Sequence, residues 1–128
     1  MYKRQDIYVG TDNRLAGRLC GEDLIERFPE GGKAVLLESS LFHSVAERMT
    51  GFEEAIANEG FEILERADTD GTREAAKAEM SRILSGQEEI DVIMCGNDEM
   101  ALGALEAVRE AGRSSIRIYG VDLSLIHI

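Results

Sequence analysis

Residues 91–105 read Asp91-Val92-Ile93-Met94-Cys95-Gly96-Asn97-Asp98-Glu99-Met100-Ala101-Leu102-Gly103-Ala104-Leu105. The periodicity changes inside this stretch. Asp91 to Cys95 reads as a strand, as does Ala34 to Leu37, a continuous apolar run of the kind expected of a strand buried on both faces. Gly96-Asn97-Asp98 is a turn, and Glu99 to Ala111 then follows helical spacing until Gly112. A fully apolar strand that turns directly into a helix is the unit from which parallel α/β sheets are built.

The same unit recurs on either side. Ile7-Tyr8-Val9 reads as a short strand. Arg14 to Phe28 is a helix carrying Leu15, Leu19, Leu24, Ile25 and Phe28, and it is closed by Pro29 and Gly31-Gly32. Ala34 to Leu37 is a strand, and Ser39 to Ser44 is a polar loop. Val45 to Asn58 is a helix carrying Val45, Met49, Phe52, Ala55 and Ile56, with Gly60 just past its end. Phe61 to Leu64 is a strand. Asp68 to Thr72 is a loop with Thr72 as helix cap, and Arg73 to Leu84 is a helix closed near Gly86. Ile116 to Val121 is the last strand. The order β-α-β-α-β-α-β-α-β predicts an α/β fold with a Rossmann-like or flavodoxin-like parallel sheet and helices on both faces.

Composition bounds the function. The chain has 128 residues, 44% of them apolar, and 25 acidic against 14 basic residues give a formal charge of -11. It is long enough to bury a core and too apolar for a disordered acidic tail. The acidic excess disfavours nucleic acid as a partner. No apolar run is long enough to cross a membrane, and no signal-peptide pattern is visible in this stretch. Cys20 and Cys95, far apart, make neither a disulfide framework nor a metal site, and they read as small buried hydrophobes. Gly31-Gly32-Lys33 lacks the spacing of a phosphate loop, and Gly10-Thr11-Asp12-Asn13 is no dinucleotide fingerprint. No cofactor, metal or enzyme class gains support.

In a doubly wound sheet, ligands bind beyond the carboxyl ends of the strands near a topological switch point. That rule selects the loops Ser39 to His43, Thr69 to Gly71, Gly96 to Asp98, and Asp122. Asn97 has an amide that donates and accepts at once, which matches a hydroxyl; a plain turn role is the alternative. Asp98 is placed to cap the following helix, and Glu99 favours its positive end. Gly103 suits a close approach of that helix to the sheet. A carboxylate at Asp122 can accept two hydroxyl hydrogen bonds or act as an ordinary turn residue. Arg48, early in its helix, opposes the dipole. A forked donor facing a ligand would justify it, and so would an ion pair with Glu47 or Glu54. Ser39, Ser40, His43, Thr69 and Asp70 complete the candidate ligand loops. His43 has no partners for a catalytic triad.

Taken together, Val9-Gly10-Thr11-Asp12-Asn13, Ala16-Gly17-Arg18, Glu47-Arg48, Gly51-Phe52, Asn97 to Leu105, Gly112-Arg113 and Gly120-Val121-Asp122 resemble, in order, the type I periplasmic sugar-binding proteins. The resemblance implies one lobe, the second, of a two-lobed, hinged protein that holds a monosaccharide or related polyol in its cleft. Such proteins deliver sugar to the membrane subunits of an ABC importer, and the parent would be periplasmic or an extracellular lipoprotein. It implies sugar contacts at Asn97, Asp122 and Arg48, and a hinge crossing at Asp12-Asn13. Ala46 stands where ribose-type members carry their contacting Arg. Val121 stands where they carry a ring-stacking Phe, and the Asp68 to Thr72 loop has no Phe, so ribose itself is not implied. The same lobe occurs in lac-repressor-type regulators. These usually carry a Pro before the last strand, and Gly112-Arg113-Ser114-Ser115-Ile116 has none.

The two ends stand apart from this pattern. Tyr2 to Gln5 can be written TAT AAG AGA CAG. Its reverse complement encodes Leu-Ser-Leu-Ile, the residues at Leu123 to Ile126. Continuing outward, a GTG start at Met1 pairs with His127, and a preceding GAT with Ile128. One inverted repeat, like a transposase adapter, accounts for residues 1–5 and 123–128. The expectation is that residues 6–122 are a natural insert from a longer gene.

Overall fold

The computed structural model describes residues 13–86, 89–113 and 115–120. The expected strand at Ile7 to Val9, the expected hinge residue Asp12, Val121, Asp122 and both end segments lie outside the described residues.

The elements are α1 (Asn13–Arg27), β1 (Gly32–Glu38), α2 (His43–Ile56), β2 (Phe61–Asp68), α3 (Arg73–Gly86), β3 (Val92–Cys95), α4 (Asp98–Glu110) and β4 (Arg117–Tyr119). The strands form one parallel sheet in the order β2-β1-β3-β4. The link from β1 to β2 therefore travels one way across the sheet, and the link from β3 to β4 the other. Crossovers of one hand then place α2 and α4 on opposite faces. The packing agrees, since α1 pairs with α2 and α3 pairs with α4. The connections leave in opposite directions from β1 and β3, which sets the switch point between these two strands.

The core sits where the apolar runs predict. Ala34 to Leu37 on β1 and Val92 to Cys95 on β3 are fully buried. Phe52 and Met49 seal one face of the sheet, and Met80, Ile83 and Met100 lie among the largest buried side chains. Burying each such side chain is worth about 1.5–3 kcal/mol relative to leaving it exposed. At the edge, β2 mixes charged and apolar residues and runs to Asp68, longer than the Phe61 to Leu64 strand expected from the sequence. Its exposed Arg66 pairs with Glu38 and Glu53. Such charges discourage edge-to-edge association.

Two expectations are corrected by the packing. Leu15 and Leu19 do not face the core, being 36% and 51% exposed. The buried side of α1 is instead Gly17, Gly21 and Leu24. A Cβ on Gly17 would lie 1.8 Å from the Arg48 carbonyl oxygen, and one on Gly51 would lie 1.9 Å from that of Arg14. The two helices thus cross backbone to backbone, and that contact outweighs the leucine spacing. Likewise Gly103 approaches a helix rather than the sheet. A Cβ there would lie 2.3 Å from the Arg73 carbonyl oxygen on α3.

At the far side of the sheet, Tyr119 donates to Asp23 Oδ2 at 2.6 Å, tying β4 to α1. Arg27 donates to the same oxygen at 2.9 Å, and the Arg117 guanidinium lies 5.7 Å from the Tyr119 ring centre.

Candidate functional site

Three loops meet at the carboxyl edge: 39–42 after β1, 69–72 after β2, and 96–97 after β3. The strand register puts them side by side, because Leu37 of β1 lies beside both Ala67 of β2 and Cys95 of β3.

Asn97 is central. Its Oδ1 accepts from the Met100 amide at 2.8 Å, and its Nδ2 donates to the Gly71 carbonyl at 3.3 Å. The helix cap is therefore Asn97, not Asp98, which is the first residue of α4. The reason is geometric. Asn97 has the extended backbone (φ -150°, ψ 176°) that aims a short side chain back at the first turn. The amide keeps one Nδ2 hydrogen and further acceptor capacity, so capping does not exhaust it.

The neighbouring loop is held by an internal polar scaffold. The Thr69 hydroxyl accepts from the Gly71 amide at 2.9 Å and lies 3.1 Å from Met100 Sδ. Asp70 Oδ1 accepts from the Thr72 hydroxyl at 2.6 Å and the Thr72 amide at 3.0 Å, and these bonds hold its carboxyl below the usual range. Thr72 in turn accepts from the Ala75 amide at 3.2 Å, the capping geometry expected of it. Gly71, with φ +86°, makes the turn that other residues resist.

In the first loop, Asp68 clamps Ser40 through its amide at 2.8 Å and its hydroxyl at 2.9 Å. Ser39 is buried and accepts from the Leu41 amide at 3.3 Å. Glu38, Ser39, Ser40, Ala46 and Asp68 line a cavity of about 230 Å³ here. His43 is exposed and faces Glu47 at 3.2 Å.

Arg48 points across the edge. Its Nη1 donates to the Gly96 carbonyl at 2.8 Å and its Nε to Asn13 Oδ1 at 3.0 Å. It thereby joins the start of α1 to the loop that carries Asn97, an arrangement neither alternative from the sequence described. Glu54 is engaged by Arg14 and Arg18. Gly120, the last described residue, sits against α4, where a Cβ would lie 2.9 Å from Ala101 Cβ and 3.5 Å from Asp98 Oδ1.

Phe42 was missed in the sequence. It is 46% exposed and occupies the capping position of α2 without a side-chain cap bond. A Cβ on Gly71 would lie 2.9 Å from Phe42 Cε2 and 3.5 Å from Asn97 Nδ2, so the ring and the amide flank the same point. The available signal was Leu41-Phe42, an apolar pair inside a stretch otherwise read as polar.

Among the described residues no group of three or more metal-ligating side chains occurs, and no helix is long and apolar enough to cross a membrane. Cys95 is fully buried and Cys20 partly so. Burial pushes both thiols up, that of Cys20 to about 12, away from nucleophilic use.

The sheet, its switch point and the polar loops at its carboxyl edge make an α/β lobe of the doubly wound kind. The chain belongs to the periplasmic binding protein domain family, whose sequence model matches residues 3–128. It is 33% identical over 116 residues to the ribose import binding protein of Escherichia coli, covering 90% of this chain and 39% of that protein. It is 34% identical over 117 residues to the D-ribose/D-allose-binding protein of Pseudomonas aeruginosa, covering 90% and 37%. Among solved structures, the fructose-binding periplasmic domain of a hybrid two-component system superposes with a TM-score of 0.82 at 30% identity, over 90% of this chain and 39% of that one. A periplasmic solute-binding protein of an ABC transporter from Actinobacillus succinogenes, with bound D-allose, gives 0.80 at 28% identity, over 85% and 39%. The chain thus spans about two fifths of the length of the curated relatives it matches.

Proposed function

We propose that this chain is one carbohydrate-binding wall of a two-lobed protein that supplies an ABC importer, and that it binds rather than transforms its ligand. The observation that carries this reading is the Asn97 site. At the topological switch point, an amide with spare hydrogen-bonding capacity stands between two rigidly held loops. That suits a ligand whose hydroxyls donate and accept, and the family relatives named above bind ribose, allose or fructose. Asp122, two positions after Gly120 in the sequence, is a further candidate carboxylate acceptor for sugar hydroxyls, and Ser39, Ser40, Thr69 and Asp70 in the loops and His43 at the start of α2 are candidates beside Asn97. Arg48 serves the site by fixing the Gly96-Asn97 backbone. Asp12-Asn13 is the crossing to the other lobe, so Arg48 also ties the ligand loop to the hinge. Residues 6–122 form the natural lobe and the end segments are adapter-encoded. Closure of two such walls on a sugar selects the state an importer recognises.

One wall makes about half the contacts. If two walls reach about -8.2 kcal/mol, the micromolar range, one wall supplies about -4.1 kcal/mol, a millimolar affinity. Calorimetry of this chain with D-ribose and D-allose is expected to show no micromolar binding, and a micromolar isotherm would refute the one-wall account. A two-lobed protein containing this lobe that ignores every monosaccharide in a broad panel would end the carbohydrate reading. The upstream gene sequence separates transport from regulation: a signal peptide or lipobox marks the former and a helix-turn-helix the latter.

A further inference from the structure

Asp70-Gly71 is the one place in the chain where an aspartate or asparagine precedes a glycine. Such a step is chemically weak. A carboxyl one residue before a peptide N–H can close a five-membered imide on it, and glycine, without a side chain, hinders the closure least. The Gly71 nitrogen bonds to Asp70 Cγ, and the carboxyl hydroxyl leaves with the amide hydrogen as water. Water then opens the ring. Opening at Cγ restores aspartate. Opening at the backbone carbonyl leaves the chain running through the side-chain carboxyl, an isoaspartate with one extra main-chain carbon. Water is the only other reactant.

The loop restrains both reacting groups. Asp70 is exposed, but its Oδ1 accepts from the Thr72 hydroxyl at 2.6 Å and the Thr72 amide at 3.0 Å. Those bonds favour the ionised carboxylate, whereas closure consumes the neutral acid. The Gly71 N–H donates to Thr69 Oγ1 at 2.9 Å, a bond that is lost when the nitrogen attacks. Thr69 is itself fixed, since its hydroxyl lies 3.3 Å from the Glu38 carbonyl oxygen and 3.1 Å from Met100 Sδ. Gly71 is buried, and a Cβ there would lie 2.9 Å from Phe42 Cε2, so the ring edge hinders rotation of this peptide.

We propose that Asp70-Gly71 is a latent isoaspartate site, kept intact by the hydroxyls of Thr69 and Thr72, and that its rearrangement disables Asn97. The Gly71 carbonyl accepts from Asn97 Nδ2 at 3.3 Å. An extra main-chain carbon displaces that carbonyl, so a change at residue 70 reaches the amide at the centre of the candidate site. The inference holds whatever ligand the site takes.

The test is to incubate the chain at mildly acidic pH and locate isoaspartate by tandem mass spectrometry of its peptides. In urea, the unfolded wild type is expected to accumulate isoaspartate at residue 70 ahead of every other aspartate or asparagine. The folded wild type should react there about tenfold more slowly or less. Thr69→Val, similar in shape, should speed the folded reaction about twofold to tenfold, the worth of one hydrogen bond, and Thr69→Ser should restore the slow rate. Circular dichroism shows that each variant is folded; should Thr69→Val unfold, the comparison of folded and unfolded wild type decides without it. A folded wild type as fast as the unfolded chain, a folded Thr69→Val no faster than wild type, or isoaspartate arising first elsewhere overturns the proposal. In the rearranged protein the Asn97 side-chain amide resonances should shift, and unmoved resonances overturn the link to Asn97.

Discussion

Replacing Gly51 by Ala sets two effects of opposite sign against each other. In a helix interior, Gly→Ala normally stabilises by about 1 kcal/mol through backbone entropy. Here the new Cβ would sit 1.9 Å from the Arg14 carbonyl oxygen and 3.0 Å from the Arg18 amide nitrogen. Close carbon–oxygen contacts in proteins run to about 3.3–3.6 Å, so α1 and α2 must part by more than an ångström. Both obstructing atoms are backbone, so no rotamer change relieves them. Overpacking of this kind costs about 1–3 kcal/mol or more, and the separation also loosens Leu24 and Phe52, both fully buried. The net expectation is destabilisation by about 1–2 kcal/mol, seen as a melting point about 4–8 °C lower for a domain of this size. Gly86→Ala is the control. It lies at the end of α3 with nothing within 4 Å of the new Cβ, so only the entropy term acts and stability should rise by up to about 1 kcal/mol. The assay is thermal and urea unfolding of the three proteins by circular dichroism. If Gly51→Ala stabilises as Gly86→Ala does, the backbone-to-backbone crossing of α1 and α2 is wrong.

Other expectations follow from the site and its surroundings. Asn97→Ala removes the cap bond to the Met100 amide and should cost about 1 kcal/mol in urea unfolding; no loss would mean that the amide does not cap α4. Arg48→Met removes two part-buried charge-assisted bonds, to Gly96 and Asn13. It should cost about 2 kcal/mol and shift the Gly96 and Asn97 amide resonances, and unchanged resonances would contradict its positioning role. The thiols set an alkaline limit. Their folded-state values are raised, that of Cys20 to about 12, so their contribution is complete below the ordinary thiol value of about 8.5. It is lost as pH rises towards 12. Cys20→Ala with Cys95→Ala should flatten the fall in stability between pH 8 and 11, and an unaltered profile would rule out this source. On the acid side, burial raises the Asp23 carboxyl, but the bonds from Tyr119 and Arg27 outweigh it and hold the value down. Its contribution is present above the ordinary carboxylate range and lost as pH falls through the depressed value. Tyr119→Phe should therefore lessen the acid sensitivity of unfolding.

The sequence alone determined the alternation of elements, the parallel sheet and the edge that carries the candidate site. Val92 to Met94 and Ala34 to Leu37 are unbroken apolar runs, and such runs are only satisfied between two layers of helices. Gly96-Asn97 marks the strand-to-helix turn at the carboxyl edge of the sheet, because glycine and a short polar side chain are what a tight turn and a cap require. Family resemblance in the same block singled out Asn97.

Tertiary structure decided what spacing cannot express. Helical periodicity treats Leu15, Leu19 and Leu24 alike, but a helix that crosses its neighbour through Gly17, Gly21 and Gly51 buries its glycine side and leaves two leucines outside. Hydrophobicity ranks glycine low, so no apolar pattern shows that face. The cap moved from Asp98 to Asn97 because extended backbone angles, not residue type, determine which of two adjacent acceptors can reach the first turn. Arg48 reaches Gly96 across 48 positions of sequence, and Phe42 and Asn97 come to flank Gly71 only where three loops converge. Those contacts follow from the strand order β2-β1-β3-β4, which brings the ends of separate strands to one edge and which no local stretch of the chain encodes.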